Sequence, residues 1–493
     1  MKNLSYEQKT FYLFLLVQII LYTGVSLIRL IMPTDALEGI YWGSLHDFGT
    51  NKHPPLAAWI TYVVFYIFKK DFFIYLTSQI FIAIGFIFVY KTARLFLNEV
   101  QSILSVVLLA GCWVYGYITS YYGFNPDVVL LCFLPIITYF GYKSVKNNKL
   151  SDWIILGIMT GLSFLNKYQT ALLILPIIIW AIIFNRKIFK SWKVYFSIII
   201  AFLIFLPHLL WLIKYDFFSF SYFGIELKNR SFLNRIGSSL IFLIVQLSVV
   251  SGSILMFYLL KLKQKTKFII NQTLNNQDAC FLLLVALLPN LIQTIMIIVA
   301  GGTARPRWGF EFLFLTGVIL FYFFPVKEIL KNEFNFVVKF AYIIMIIIAL
   351  IMGSLFAFEK NYRSRYPVEK VTNDIVGDWN EHYDVPVKYI GGFLEWTLPI
   401  VVYNMDKNYE CILYTYNHES PWITKDDLKK HGAIIIFRDP QDVVAYVNFL
   451  NVHPNNTKNI VPTNYKFELK NAFGLKREYS IYYYMIPPEK YVN

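Results

Sequence analysis

Acidic and basic side chains stand close together in the segment that follows the first long apolar run of the sequence. Asp35 and Glu38 lie at the end of that run, and Lys52 and His53 come shortly after them. A spacing of three would place both carboxylates on one face of a helix. A carboxylate can remove a proton from a hydroxyl, and the basic residues could stabilise a phosphate. Structural roles are the alternative, because the acids could cap a helix and the bases could anchor it at lipid headgroups.

Five more charged residues extend this set of candidates. Asp127 follows an Asn-Pro pair and could also cap a helix. Lys167 lies between two apolar runs, where an ionisable group is functional by default. Arg230 lies in a longer polar loop, at residues 214–236. Arg305 and Arg307 share a short loop, and they suggest either an anionic ligand or contact with lipid headgroups.

One reaction uses both kinds of group: transfer of a sugar from a lipid-linked phosphate. Negative charge develops on the leaving phosphate, so lysine, arginine and histidine in a partly dry site would stabilise the transition state. An accepting hydroxyl needs a carboxylate within hydrogen-bond reach. A single attack inverts the anomeric centre, and side chains alone can neutralise a monophosphate, so a metal is optional.

The elements that position these residues are apolar. Of the 493 residues 57% are hydrophobic and only 15% are charged, whereas soluble domains carry about a quarter charged residues. Runs of roughly twenty apolar residues can cross the membrane. We predict eleven spans, near residues 11–31, 72–90, 101–119, 128–142, 152–165, 169–184, 194–213, 237–260, 279–299, 309–324 and 336–357. Residues 56–68 are apolar but too short to cross, and they predict an interfacial helix.

Lysine and arginine predict the orientation, because they concentrate in cytoplasmic loops. Predominantly basic loops alternate with mixed ones, and they lie near residues 2–9, 91–94, 143–149, 186–193, 261–267 and 327–331. The N-terminus is therefore predicted to be cytoplasmic. An odd number of spans places residues after 358 outside, together with every candidate residue above. The net charge of +14 is explained by these loops, so no nucleic-acid partner is expected.

Composition changes near residue 358. Short β-type runs at 387–390, 411–416, 433–437, 465–470 and 479–486 alternate with helix-like stretches at 370–382, 424–431 and 440–451. This pattern predicts a small α/β domain. The sequence therefore divides into a transmembrane domain, residues 1–357, and an extracytoplasmic domain, residues 358–493, which could dock an acceptor or serve as a lid or scaffold. The four cysteines predict neither a disulfide framework nor a metal site.

The order of short motifs resembles a known class of membrane enzymes. The chain is similar to GT-C class glycosyltransferases, in the branch with protein mannosyltransferase-like enzymes and the lipid A aminoarabinose transferase. The motifs are Asp35…Glu38 with Tyr41-Trp42, His53-Pro54-Pro55-Leu56 with Trp59, Asn125-Pro126-Asp127, Gly161-Leu162…Lys167-Tyr168, Leu206-Pro207-His208…Trp211, Tyr389-Ile390-Gly391-Gly392 and Ser420-Pro421-Trp422.

The resemblance implies a polyprenyl-phosphate sugar donor, usually undecaprenyl phosphate in bacteria, and chemistry on the periplasmic face of the inner membrane. It implies that Asp35 is the catalytic or acceptor-orienting carboxylate, with Glu38 as its partner and Asp127 as a further catalytic candidate. His53, with Lys52 beside it, matches a phosphate-binding position. Lys167, Arg230, Arg305 and Arg307 complete the phosphate-binding candidates.

The sequence also departs from the family pattern. Glu38 stands three residues after Asp35 rather than next to it, and Lys52 replaces an acid before His53. A loop histidine that binds metal in the aminoarabinose branch has no counterpart in residues 223–232. We therefore predict activity without a metal or other cofactor. His208 matches a family residue, but it is predicted to be a packed, hydrogen-bonded histidine.

These observations predict a multi-span α-helical membrane protein of the GT-C fold with a small C-terminal α/β domain. The predicted function is inverting transfer of one sugar from a polyprenyl phosphate to lipid A or another cell-envelope glycan. The alternatives are a transporter or flippase of a lipid-linked sugar, which needs ionisable groups along a path through the membrane, and a protein O-glycosyltransferase of the same fold.

Overall fold

The computed structural model describes residues 4–220, 231–271, 273–301, 305–358, 365–414, 420, 422–452 and 460–492. The chain divides into two compact units. The first, here called the helical unit, comprises Met1–Ser26, Asp47–Ala57 and Phe72–Met352. The second, the mixed unit, comprises Leu27–His46, Ala58–Asp71 and Gly353–Asn493. The domain boundary after residue 357 stays a prediction.

Most described residues are helical. In chain order the helices are α1 Tyr6–Ser26, α2 Thr34–Ser44, α3 Leu56–Phe68, α4 Asp71–Ala93, α5 Glu99–Val107, α6 Val114–Tyr122, α7 Pro126–Asn147, α8 Leu150–Phe164, α9 Thr170–Asn185, α10 Trp192–Lys214, α11 Phe232–Lys263, α12 Asn276–Ala300, α13 Arg307–Phe310, α14 Thr316–Phe323, α15 Lys331–Phe358, α16 Val368–His382, α17 Leu394–Tyr403, α18 Lys425–His431 and α19 Pro440–Leu450. The predicted helix at residues 56–68 is present as α3; its place at the membrane surface stays a prediction.

Eight helices of the described residues are long and apolar enough to cross a membrane, and a ninth span results if Glu99–Gly111 and Val114–Tyr122, bent by 55°, count as one. The protein is thus a multi-span membrane protein, but eleven spans are not confirmed. Predicted span 152–165 is the 15-residue helix α8. Predicted span 309–324 forms the short helices α13 and α14, with Phe312, Phe314 and Leu315 completely buried. Its hydrophobicity therefore reflects burial in protein.

Helices α7 and α8 run antiparallel and define two ends of the helical unit. At one end Lys143 Nζ lies 3.2 Å from Asp152 Oδ1, and at the other Lys167 Nζ lies 2.5 Å from Asp127 Oδ1. We call these the Lys143 end and the Asp127 end. At the Lys143 end Lys193 Nζ also donates to the Asn148 carbonyl, over 2.7 Å. Two loops that the sequence assigns to the cytoplasm therefore meet at one end.

The mixed unit contains a five-stranded sheet. Its strands are β1 Tyr389–Phe393, β2 Glu410–Tyr414, β3 Ala433–Phe437, β4 Thr463–Lys470 and β5 Lys476–Ile486. Their order is β2-β1-β3-β5-β4, with β1 parallel to both β2 and β3 and with β5 antiparallel to β3 and β4. The predicted α/β domain is confirmed, and each predicted strand and helix overlaps an observed one.

Helix α17 is an addition to the predicted elements. It follows β1 directly and is buried along most of its length. Its sequence is therefore apolar on all sides and lacks the alternation of apolar and polar faces that reveals an amphipathic helix. Parallel strands need a crossover connection, and α17 supplies it between β1 and β2. Within the same unit α2 is joined to this region, because Tyr41 Oη donates to the Cys411 carbonyl over 2.9 Å and accepts from the Cys411 amide over 3.0 Å.

Candidate active site

A buried ion cluster lies at the Asp127 end of the helical unit. Lys167 Nζ is 2.5 Å from Asp127 Oδ1 and 2.7 Å from Glu311 Oε1. All three residues are buried, and Glu311 is completely so. A buried lysine with two carboxyl partners is fixed in position. Arg307 adds a second cation, with its Nε 3.9 Å from Asp127 Oδ2.

The start of α7 places Asp127. The Asn125 side chain accepts from the backbone amides of Asp127 and Val128, over 2.9 and 3.0 Å, and Pro126 occupies the first helical turn. Asn125 is therefore the N-cap of this helix, with the preferred chemistry for that position. The Asp127 carboxylate is not the cap, and it meets the lysine instead.

The turn between α8 and α9 places Lys167. Its amide donates to the Ser163 carbonyl over 2.9 Å, and its carbonyl accepts from the Thr170 hydroxyl over 2.9 Å. The side chain of Asn166 donates to the Pro126 carbonyl over 2.9 Å. The turn is thus bonded both to its own helices and to the start of α7, which holds the ammonium against Asp127.

Glu311 is a site residue that the sequence analysis missed. It lies in an apolar stretch that was assigned to a membrane span, where a single acid is itself a signal of function. Burial raises the pKa of Glu311 well above its ordinary value; Lys167 opposes the shift and Asp127 adds to it. Its Oε2 has no hydrogen-bond partner among the described residues. Burial therefore favours the protonated form of Glu311 more strongly than in an exposed glutamate.

The cluster combines two cations with two carboxyl groups. Burial disfavours the Lys167 ammonium, but Asp127 and Glu311 outweigh it and raise the pKa of Lys167 above its ordinary value. The Arg307 guanidinium lies beside the cluster, 5.0 Å from the centre of the Tyr122 ring. A guanidinium has the planar array of donors that binds a phosphate.

His53 belongs to the same surroundings. Burial, followed by the Lys167 charge, lowers the pKa of His53 to about 3, and Lys52 and Arg307 also lower it. The ring is therefore neutral at neutral pH, so it can offer a hydrogen bond but no charge. The Thr50 hydroxyl accepts from the amides of Lys52 and His53, over 3.2 and 2.9 Å, which fixes this turn.

The segment that carries Arg307 and Glu311 is held by side-chain amides. Gln246 donates to the Pro306 carbonyl over 2.9 Å, and Gln169 donates to the Trp308 carbonyl over 3.2 Å. A Cβ on Gly309 would lie 2.5 Å from Asn290 Oδ1 and 2.7 Å from Gln246 Oε1. A larger residue there would displace the amides of Gln246 and Asn290, which close over the backbone from α11 and α12.

His208 is packed and hydrogen-bonded, as predicted. Its Nδ1–H donates to the Phe48 carbonyl over 2.6 Å, and its Nε2 accepts from the Tyr168 hydroxyl over 2.7 Å. A carbonyl can only accept, so this contact fixes the neutral tautomer. His208 thereby joins the Phe48 segment to the residue after Lys167.

Asp35 and Glu38 lie in the mixed unit. Helix α2 begins at Thr34 after the N-cap Pro33, which makes no side-chain cap, so the capping box considered for Asp35 and Glu38 is not formed. Glu38 is 5% exposed. It lies near Cys411, whose pKa burial raises to about 12, with a smaller contribution from Glu38. The roles of both acids stay predictions.

Three further candidates for phosphate binding remain. Lys52 is half-buried in the Thr50 turn, and Arg305 is half-buried before Pro306. Arg230 lies outside the described residues. No group of three or more His, Cys, Asp or Glu side chains suited to a metal occurs within the described ranges, and metal-independence stays a prediction.

Comparisons with known proteins give two kinds of likeness. A family model described as dolichyl-phosphate-mannose-protein mannosyltransferase matches residues 52–211, which include His53, Asp127 and Lys167. No curated protein gives a significant sequence match.

The solved structure of ArnT from Cupriavidus metallidurans bound to undecaprenyl phosphate has a TM-score of 0.64 at 10% identity, over 97% of this chain and 98% of that chain. Its apo state has a TM-score of 0.59 at 10% identity, over 99% and 100%. The archaeal oligosaccharyltransferase AglB from Archaeoglobus fulgidus reaches only 0.41 at 13% identity, over 96% of this chain and 74% of that chain. The chain therefore has the GT-C fold, and its predicted resemblance to mannosyltransferase-like and aminoarabinose transferase-like membrane proteins is confirmed.

Proposed function

We propose that this protein is an inverting glycosyltransferase that moves one sugar from a polyprenyl phosphate, such as undecaprenyl phosphate, to an extracytoplasmic acceptor. The observation that carries the proposal is the buried cluster of Asp127, Lys167 and Glu311 with Arg307 beside it. The cluster is buried, it places two cations side by side, and its surroundings include a neutral histidine. Such a site stabilises charge that develops on a leaving phosphate.

The residues divide the work by their charge and contacts. Arg307, with Lys52, Arg305 and Arg230, neutralises the phosphate, and His53 donates a hydrogen bond to it. Lys167 already donates to two carboxyl groups. Its ammonium therefore positions Asp127 and contributes positive electrostatic potential at the site. The C1–O bond to phosphate breaks with its electrons on the phosphate, while the acceptor oxygen attacks the opposite face of C1.

Asp35 takes the proton of the acceptor hydroxyl, and Glu38 orients that hydroxyl. Asp127 is the weaker base, because its two oxygens face Lys167 at 2.5 Å and Arg307 at 3.9 Å, and nearby cations reduce the proton affinity of a carboxylate. The acceptor is lipid A or another cell-envelope glycan, and the chain lies in the bacterial inner membrane with its C-terminal domain in the periplasm. This choice is supported by the resemblance to aminoarabinose transferase-like membrane proteins.

A transfer assay tests the proposal. Purified protein in lipid nanodiscs is given polyprenyl-phosphate sugars labelled in the sugar, together with crude envelope lipid. We expect labelled acceptor and free polyprenyl phosphate in equal amounts. Asp35→Asn should abolish transfer, whereas the exposed control Asp406→Asn in the same unit should leave it unchanged. Movement of intact donor across a vesicle membrane without transfer would instead favour the flippase.

The metal-free proposal has its own test. Transfer by the wild-type protein should persist after exhaustive chelation, because cationic side chains surround the site. Loss of activity that added divalent metal restores would refute it.

A further inference from the structure

The hairpin between β4 and β5 presents an apolar tip. The Asn471 side chain accepts from the amides of Phe473 and Leu475, over 3.0 and 2.9 Å. Gly474 has a φ of +79°, a backbone conformation that favours glycine. This compact turn projects the Phe473 and Leu475 side chains outward, and they are 62% and 68% exposed. Two large apolar side chains side by side on a protruding tip mark an interaction site.

The tip contacts the last residues of helix α15, which belong to the same unit as the hairpin. The Phe473 ring stacks on Phe358 with 4.5 Å between ring centres and 25° between planes. The Ala472 amide donates to the Ala357 carbonyl over 3.2 Å. Phe358 is the last residue of α15, one of the helices long and apolar enough to span the membrane.

The length of that helix fixes the depth of the contact. The apolar part of α15 runs without a charge from Phe340 to Phe358, which spans roughly 28 Å at 1.5 Å per residue. The hydrocarbon core is about 30 Å thick. Phe358 therefore lies at the boundary between hydrocarbon and headgroups, and the hairpin tip that stacks on it lies at the same depth.

The strands next to the tip carry exposed cations. Lys470 ends β4, and Lys476 and Arg477 begin β5. Lys476 forms an ion pair with Glu468 at 3.0 Å, and Arg477 lies over the Tyr479 ring. Basic residues just above an apolar insertion suit the negative surface of a membrane with anionic lipids.

We propose that the β4–β5 tip is a membrane-docking element. Phe473 and Leu475 insert into the interface of the bilayer around α15, and Lys470, Lys476 and Arg477 contact the phosphates of anionic phospholipids. The α/β domain is thereby attached to the membrane at a second point, besides the end of α15. This inference does not depend on the chemistry of the active site.

Depth-dependent quenching tests the insertion. Leu475→Cys is labelled with an environment-sensitive fluorophore in full-length protein, in nanodiscs of phosphatidylcholine and phosphatidylglycerol at about 7:3. The matched control is Lys430→Cys, at an exposed position of α18 in the same domain, and the unsubstituted protein gives the background. We expect a blue-shifted emission at 475 and at least a threefold stronger quenching by lipids with a shallow acyl-chain nitroxide. Equal behaviour at both positions, or a blue shift without lipid quenching, would overturn the proposal.

A second arm isolates the headgroup contact. Lys470→Gln with Arg477→Gln, added to the labelled 475 protein, should at least double quenching by water-soluble acrylamide in the mixed nanodiscs. In pure phosphatidylcholine the two substitutions should change nothing, because no anionic headgroup is present. The same change in both lipid compositions, or none in either, would overturn the contact with anionic phosphates. These side chains are exposed, so the variants should elute in gel filtration as the parent does.

Discussion

The protonation state of Glu311 can be measured with a pair of isosteric substitutions. Burial raises the pKa of Glu311 well above its ordinary value, so we expect the protonated form. Glu311→Gln should then keep its hydrogen bonds and lower the free energy of unfolding by less than about 1 kcal/mol. Asp127→Asn leaves the buried Lys167 without its carboxylate, so we expect a loss of about 3–5 kcal/mol. Thermal unfolding in detergent measures both. A Glu311→Gln protein as unstable as Asp127→Asn would show that Glu311 is ionised.

His53 gives the site a dependence on pH. Its folded pKa of about 3 lies below the unfolded value of about 6.5, so the unfolded chain binds more protons between these values. The contribution of His53 to the free energy of unfolding is therefore fully present above pH 6.5, and it is lost as the pH drops towards 3. With a discount for partial exposure, we expect a loss of roughly 1–2 kcal/mol from pH 7 to pH 4.5.

A comparison of variants separates His53 from the other titrating groups. His53→Gln should lose less stability than the parent over that interval, whereas a substitution of the exposed His382 should follow the parent. Identical profiles for the parent and His53→Gln would contradict the neutral, buried imidazole.

Sequence reasoning found most residues of the cluster but not its arrangement. Asp127, Lys167, Arg307 and His53 were each conspicuous as charged or titratable residues beside apolar runs. Glu311 was not, because the stretch around it is apolar enough to pass for a membrane span. Its partner Lys167 stands 144 positions earlier in the chain, and only the fold brings two such positions together.

At the scale of elements, the short helix α13 depends on its neighbours for position. Gly309→Ala would place a Cβ 2.5 Å from Asn290 Oδ1, so the amides of Asn290 and Gln246 must move. Because Gln246 holds the Pro306 carbonyl, we expect the segment from Pro306 to Glu311 to shift with them. A shift of about 1 Å at a catalytic group can cost 100-fold in rate, and we expect transfer to fall at least tenfold. Gly237→Ala in α11 is the matched control, because nothing lies within 4 Å of its Cβ. Full activity of Gly309→Ala would show that the position of α13 does not depend on this close packing.

The same elements show what hydrophobicity can and cannot predict. The strands and helices after residue 358 can be predicted because short polar segments separate them in the sequence. The sequence does not predict helix α17, and it predicts a span at residues 309–324, for the same reason: both segments are apolar because they are buried in protein. Composition alone cannot distinguish burial in protein from contact with lipid.

At the scale of the whole molecule, the charges of the helical unit separate between its two ends. The purely basic loops around residues 143–149 and 185–193 meet at the Lys143 end, where Asn185 donates to the Val145 carbonyl over 2.8 Å. The ion cluster lies at the Asp127 end. A positive excess marks the cytoplasmic side, so the structure's separation of charge agrees with chemistry on the opposite face. The orientation itself stays a prediction.

Thiol accessibility can measure that orientation. Lys149→Cys and Lys190→Cys place thiols at exposed positions of the Lys143 end. Asp216→Cys places one just after the end of α10, a helix that begins at Trp192, beside the Lys143 end. In right-side-out vesicles a membrane-impermeant maleimide should label only Asp216→Cys, because the basic loops face the cytoplasm. In inverted vesicles the pattern should reverse. Labelling of all three thiols from one side would show that the Lys143 end and the Asp127 end do not face opposite sides of the membrane. The opposite pattern would place the ion cluster on the cytoplasmic side, where the proposed periplasmic acceptor could not reach it.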